Sequence, residues 1–331
     1  MVVAAARALA EPGAALMVGG AALHSDLGMV AARVAARTGA RLMAPFFAAR
    51  VRRGAGAVRF ERLAYEVDQN LALMAGVRHL VLCGAARPTA FFAYPGKPGL
   101  NEAPGTAVVE LCSGDMDADW TLRALAEVVG ALDGPVARVA LDLPALPEGA
   151  LTLDKVGAAI AALMPQDCVV VNEAITSGAQ IAAALATARG HDWLVTMGGA
   201  IGAGLPTAVG AAVACPERKV LCLSGDGSAM YTVQSLWTMA REGLDVTVVI
   251  FANHVYKILH GELAAVGAEA SSGAGRNVAR MFDLVEPKLD WVALARGHGV
   301  AGVHCRTTAE FVAAFRRAME ERGPMLIAVE C

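Results

Sequence analysis

Short apolar runs, each followed by a segment of helical periodicity, recur along most of the chain, and that alternation restricts its fold more than any other feature. ALMVGG (15–20), VRHLVLCGA (77–85) and TAVVELC (106–112) read as strands, and RLMAPFF (41–47) is a further short apolar segment. Between them, LGMVAARVAART (27–38), FERLAYEVDQNLALMAG (60–76) and DADWTLRALAEVVG (117–130) space their apolar residues for helices. Strands apolar at successive positions are buried on both faces, so alternating strand and helix predicts an open, mostly parallel sheet covered on each side. The expected class is α/β, doubly wound, in three α/β/α layers.

Residues 131–151, ALDGPVARVALDLPALPEGAL, interrupt the rhythm with three prolines and two glycines, which marks a linker. The alternation then restarts. Helices are predicted at 153–163, 178–188, 205–214 and 229–241, and strands at CVVVNE, WLVTM, KVLCLSG and VTVVIFAN. A final helix, strand and helix lead to PMLIAVE. Two domains of this class follow, 1–140 and 152–331, joined by 141–151. A length of 331 residues accommodates two cores of that size.

Composition excludes several classes. An apolar content of 56% with a net charge of only -3 does not belong to a disordered chain, and it offers no electrostatic footprint for nucleic acid. The seven cysteines are odd in number, lie mostly in apolar runs and form no C-x-x-C. They read as free thiols of a cytoplasmic protein rather than a disulfide or zinc framework. The uncharged stretch 193–215 is long enough to span a membrane, but five glycines and Pro206 divide it into strand, turn and buried helix. The first residues, MVVAAARALAEPG, lack a basic leader region and read as a helix start. A soluble protein is expected.

The chemistry is concentrated in KVLCLSGDGSAMYTVQSLWTMAREGLDVTVVIFANHVY (219–256). An apolar strand runs directly into Gly225-Asp226-Gly227-Ser228. Glycines there let the backbone approach a ligand closely, and the helix start that follows presents free N–H groups suited to phosphate. A helix over 228–241 spans roughly 21 Å, and a strand over 245–251 returns roughly 23 Å. Asn253 is thereby expected beside Asp226 at the carboxyl edge of the sheet, where open α/β sheets bind ligands. A carboxylate and an amide oxygen side by side are hard ligands, suited to Mg²⁺ or Ca²⁺ beside phosphate oxygens and not to zinc. The competing explanation is a capping aspartate and an unrelated loop asparagine.

The segment resembles the thiamine diphosphate motif, G-D-G followed after some 25 residues by Asn. Residues 151–331 resemble the diphosphate-binding domain of the acetolactate synthase and benzoylformate decarboxylase group. Residues 1–140, including PTAFFAYPGKPG, resemble the group's central domain. The resemblance implies Mg²⁺ held by Asp226, Asn253 and the Val255 carbonyl. It implies a diphosphate held around Gly225, Gly227 and Ser228, with Thr176 and Ser177 of VNEAITSG on a second diphosphate loop. In GGAIGAGLP the Gly199 carbonyl would receive the aminopyrimidine N–H, and Ile201 would be the apolar wedge that bends the cofactor.

The implied activity is thiamine diphosphate- and Mg²⁺-dependent carboligation or decarboxylation of a 2-oxo acid, in the manner of an acetolactate synthase large subunit. The alternatives are a benzoylformate decarboxylase-like enzyme and a non-catalytic cofactor-binding subunit. In this family the glutamate that activates the cofactor lies on a separate pyrimidine-binding domain. The chain is therefore expected to carry no catalytic residue of its own, to need such a domain or subunit, and to form a homo-oligomer. Glu173, beside the diphosphate loop, is not expected to replace that glutamate. No histidine lies between His79 and His191, where arylglyoxylate decarboxylases carry one, and Lys257-Ile258-Leu259 replaces the Gly-Met-Val of acetohydroxyacid synthases. His254 and His260 flank the metal loop, either as substrate contacts or as surface residues. The glycine-rich runs VGGAALHSDLG and GGAIGAG lack the spacing of a NAD fingerprint. FAD, which the central domain of acetohydroxyacid synthases can hold, has no identifiable site in 1–140 and is the weaker expectation.

Overall fold

The computed structural model describes residues 1–23, 25–267 and 280–330. Met1–Arg52 with Ala57–Val139 form one compact unit, and Arg53–Gly56 with Ala140–Cys331 form a second. Both are doubly wound parallel sheets, as the alternation of the sequence dictates.

The first unit contains β1 (Ala14–Val18), β2 (Arg41–Ala44), β4 (Glu61–Arg62), β5 (His79–Cys83) and β6 (Ala107–Cys112), in the order β4-β2-β1-β5-β6. All neighbouring pairs run parallel. Every residue of β1 is buried. Because successive side chains of a strand face opposite ways, Ala14, Leu16 and Val18 join one core and Ala15 and Met17 the other. The sequence reading of a helix over 60–76 is corrected here: helix occupies only Val67–Met74. The Asn70 side chain bonds both backbone groups of Ala64, holding that residue in a non-helical bend. Glu61 and Arg62 pair with β2 instead.

The second unit adds β7 (Val169–Glu173), β8 (His191–Val195), β9 (Val220–Gly225), β10 (Val246–Ala252), β11 (Ala301–Cys305) and β12 (Met325–Glu330). The sheet order is β11-β12-β10-β9-β7-β8; β3 (Arg50–Arg53) precedes β4 in the chain. Alternation again divides each strand between two cores: Leu221 and Leu223 of β9 face one way, Val220 and Cys222 the other. From β7 the chain winds outward to β8, then returns to place β9 on the other side of β7. The carboxyl ends of β7 and β9 are therefore the topological switch point, where such sheets open a crevice.

Two helices differ from expectation. The one foreseen at 178–188 is Ile175–Ala184, starting two residues after β7. The one foreseen at 229–241 begins at Asp226 itself and is broken into 226–229, 230–232 and 235–241. At the break, the Thr232 hydroxyl is spent on the Gly202 carbonyl (2.7 Å). Residues 131–152 form neither helix nor strand. Among the described residues no helix is long and apolar enough to cross a membrane.

Candidate functional site

The switch point holds an open pocket of about 360 Å³, lined by Ala174–Ser177, Gly225–Ser228, Phe251, Asn253 and Val255–Ile258. Three chain segments meet there because β7, β9 and β10 are hydrogen-bonded neighbours whose carboxyl ends coincide, with Glu173 opposite Ser224 and Gly225 opposite Phe251. Thr176, Ser177, Gly225, Asp226, Gly227, Ser228, Asn253 and Val255 are thus brought to one place. Gly199 and Ile201 are not among its lining residues. They lie in and just after the short turn Met197–Gly199 that follows β8, and Ile201 is 39% exposed. An aliphatic side chain held out of the core is available to a ligand.

Asp226 is 2% exposed. One carboxylate oxygen accepts the Gly227 N–H (2.9 Å), the other the His254 N–H (2.7 Å). Burial pushes its carboxyl above the usual range, opposed by those two N–H groups and by the charge of His254. Asn253 Oδ1 accepts the Val255 N–H at 3.1 Å, which turns the loop after β10 back on itself. His254 adopts φ +57, a left-handed conformation unusual for a side-chain-bearing residue. Gly227 passes so close to Tyr256 that a Cβ there would sit 2.5 Å from the ring. Ser177 and Ser228 are buried residues of the pocket lining, and Thr176 is exposed.

Two residues emerge as more than the sequence showed. His254 is not a surface loop residue: its side chain is 14% exposed, with ring nitrogens 3.8 Å from Asp226 and 3.4 Å from Glu330. Glu330 also pairs with Lys288 (2.9 Å) and His304 (3.0 Å). Only the fold joins the last strand to the loop after β10, so the sequence held no signal for this. Glu173 is 1% exposed and accepts the Ser224 hydroxyl at 3.1 Å. Burial raises its pKa, and the N–H groups of Gly204, Gly202 and Ala203 oppose that shift. A Cβ on Gly204 would lie 2.6 Å from its carboxylate. The 202–204 turn thus packs against Glu173, whose Oε1 is buried without a hydrogen-bond partner among the described residues. His260 packs edge-on against Phe282, its ring 5.0 Å away, and does not line the pocket.

The donor set fits a hard cation. Among the described residues there is no group of three His, Cys, Asp or Glu able to hold a metal. An ion here would take one carboxylate, one amide oxygen and a carbonyl, with its remaining positions left to a ligand's oxygens. Such a set suits Mg²⁺ or Ca²⁺. A buried carboxylate with a single imidazole nearby also gains from a counter-ion.

Comparison with known proteins agrees with this geometry. Residues 166–329 match the family "Thiamine pyrophosphate enzyme, C-terminal TPP binding domain". Over 320 residues the chain is 45% identical to "Putative acetolactate synthase large subunit IlvX" of Mycobacterium tuberculosis, covering 96% of this chain and 61% of that protein. It is 32% identical over 215 residues to benzoylformate decarboxylase of Pseudomonas aeruginosa, covering 64% of this chain and 39% of that enzyme. Benzoylformate decarboxylase from Polynucleobacter necessarius shares the fold over 99% of this chain and 63% of its own, with a TM-score of 0.78 at 23% identity. The chain thus spans about three fifths of the length of the Mycobacterium tuberculosis relative and of the Polynucleobacter structure. With its diphosphate-type turn and hard-oxygen pair at one sheet edge, the stretch 166–329 belongs to the C-terminal TPP-binding domain family of the thiamine pyrophosphate enzymes.

Proposed function

We propose that the chain supplies the metal and diphosphate half of a thiamine diphosphate- and Mg²⁺-dependent carboligase or decarboxylase acting on a 2-oxo acid, acetolactate synthase-like in type. The observation that carries this reading is the convergence of Asp226 and Asn253 on one pocket with Ser177 and Ser228. When bound, thiamine diphosphate supplies a carbon nucleophile for the 2-oxo carbonyl and an electron sink for the pair released with CO₂.

The residues of the chain have defined tasks in that setting. Asp226, held by two backbone N–H groups, offers the metal a fixed anionic oxygen; Asn253 and the Val255 carbonyl offer neutral ones. The hydroxyls of Thr176, Ser177 and Ser228, with N–H groups around Gly225 and Gly227, would hold the diphosphate. Glu173 accepts the Ser224 hydroxyl and packs against Gly204, and on this reading it is not the carboxylate that activates the pyrimidine. The carboxylate that activates the pyrimidine comes, on this reading, from a pyrimidine-binding domain or subunit, within a homo-oligomer. A benzoylformate decarboxylase-like specificity is the second reading, favoured by the Pseudomonas relative. CO₂ release from pyruvate and from benzoylformate, measured with and without a pyrimidine-domain subunit, tests both. Turnover is expected only in the combined sample; no turnover in any combination sinks the catalytic reading.

A further inference from the structure

Among the described residues, the pocket at the switch point has two charged side chains in its lining, Asp226 and Lys257. Resting on the function proposed above, we propose that Lys257 is the side-chain cation that binds the terminal phosphate of the diphosphate. Asp226 offsets part of the charge of the metal it would hold. A metal–diphosphate complex in this pocket therefore retains negative charge that hydroxyls and N–H groups cannot neutralise. Lys257 is exposed at the pocket and has no hydrogen bond or ion pair among the described residues, so its ammonium is free to meet that charge.

Its place in the chain reinforces the assignment. Lys257 is the first residue of the helix Lys257–Ala265. A cation in the first turn opposes the helix dipole, and no acidic residue there balances it. No side chain caps the helix either: Tyr256, at the capping position, makes no side-chain bond to it. Local preference would place Asp or Glu at such a start. A lysine is satisfied there when an external anion meets both the ammonium and the free N–H groups.

The test uses the full chain, Mg²⁺ and inorganic pyrophosphate, followed by calorimetry, with thermal unfolding to confirm that each variant is folded. Lys257→Gln is expected to bind pyrophosphate about tenfold more weakly, and Lys257→Arg to recover most of the loss. The affinity of the Gln variant should also depend less steeply on salt, because one ion pair is gone. Asp226→Ala, in parallel, should lose the dependence on Mg²⁺. If Lys257→Gln binds as tightly as wild type while Asp226→Ala fails, the lysine inference falls and the metal–diphosphate reading stands. If neither substitution matters, or wild type takes up no pyrophosphate, both fall.

Discussion

Asp226 keeps a carboxylate almost wholly buried at the pocket, and a carboxylate so placed holds its charge only with hydrogen-bond donors or a cation nearby. Two N–H groups supply part of that need. A divalent ion would supply the rest, so the residue belongs to the site rather than to the core. Asp226→Ala is expected to abolish Mg²⁺-dependent binding of thiamine diphosphate and leave the fold intact. Asn253→Ala should weaken binding less, because an amide brings no net charge. Ser113→Ala, in the other unit, should bind normally. Calorimetry with circular dichroism checks all three; if Asp226→Ala binds like wild type, the G-D-G turn is only a turn.

The strands carry a second, testable consequence. Cys168 immediately precedes β7 and Cys305 ends β11, and burial pushes both thiols up to about 12. In the unfolded chain a thiol ionises near about 8.5. Above that pH the unfolded state sheds a proton that the folded state retains, so stability is complete below it and is lost as pH rises toward 12. The loss is about 1.4 kcal/mol per pH unit for each such thiol. The urea midpoint should fall between pH 8 and pH 11, and by less in Cys168→Val; an unchanged midpoint would contradict the burial argument. At an element boundary, Gly54 has φ +79, and a Cβ there would lie 2.5 Å from the Arg189 carbonyl and 2.7 Å from that of Ala188. Gly54→Ala should cost roughly 2–4 kcal/mol, since backbone cannot yield as a side chain can. Equilibrium unfolding measures it.

For the whole molecule, the passage of the chain between units matters. Arg53–Gly56 belongs with the second unit, where Arg53 lies 4.6 Å above the Trp193 ring and the Ala55 N–H bonds Ala188 (2.8 Å). Residues 140–331 expressed alone lack those contacts. They should unfold at lower denaturant than the same unit in the full chain, by about 1 kcal/mol or more. Equal midpoints would show the segment to be a bystander. We also propose the stretch 141–151 as the linker: it has no helix or strand to protect it, so limited proteolysis should cut there early.

Much of this was legible in the residues. Continuously apolar strands and helices of period 3.6 define the doubly wound class, because a strand apolar on both faces requires helices on each side of its sheet. The G-D-G turn and its returning asparagine foretold a shared sheet edge from chain length alone. Other features had no local signature. Asn70 bends the chain at Ala64, Thr232 spends its hydroxyl on Gly202, and Arg53–Gly56 pairs with residues far along the sequence. The contact of His254 with Glu330, and the packing of Gly204 against Glu173, likewise join residues that only the fold brings together. Periodicity is a property of neighbours in sequence and can be read there. Which buried carboxylate meets which backbone N–H depends on how strands are ordered in the sheet, and tertiary structure alone decides that.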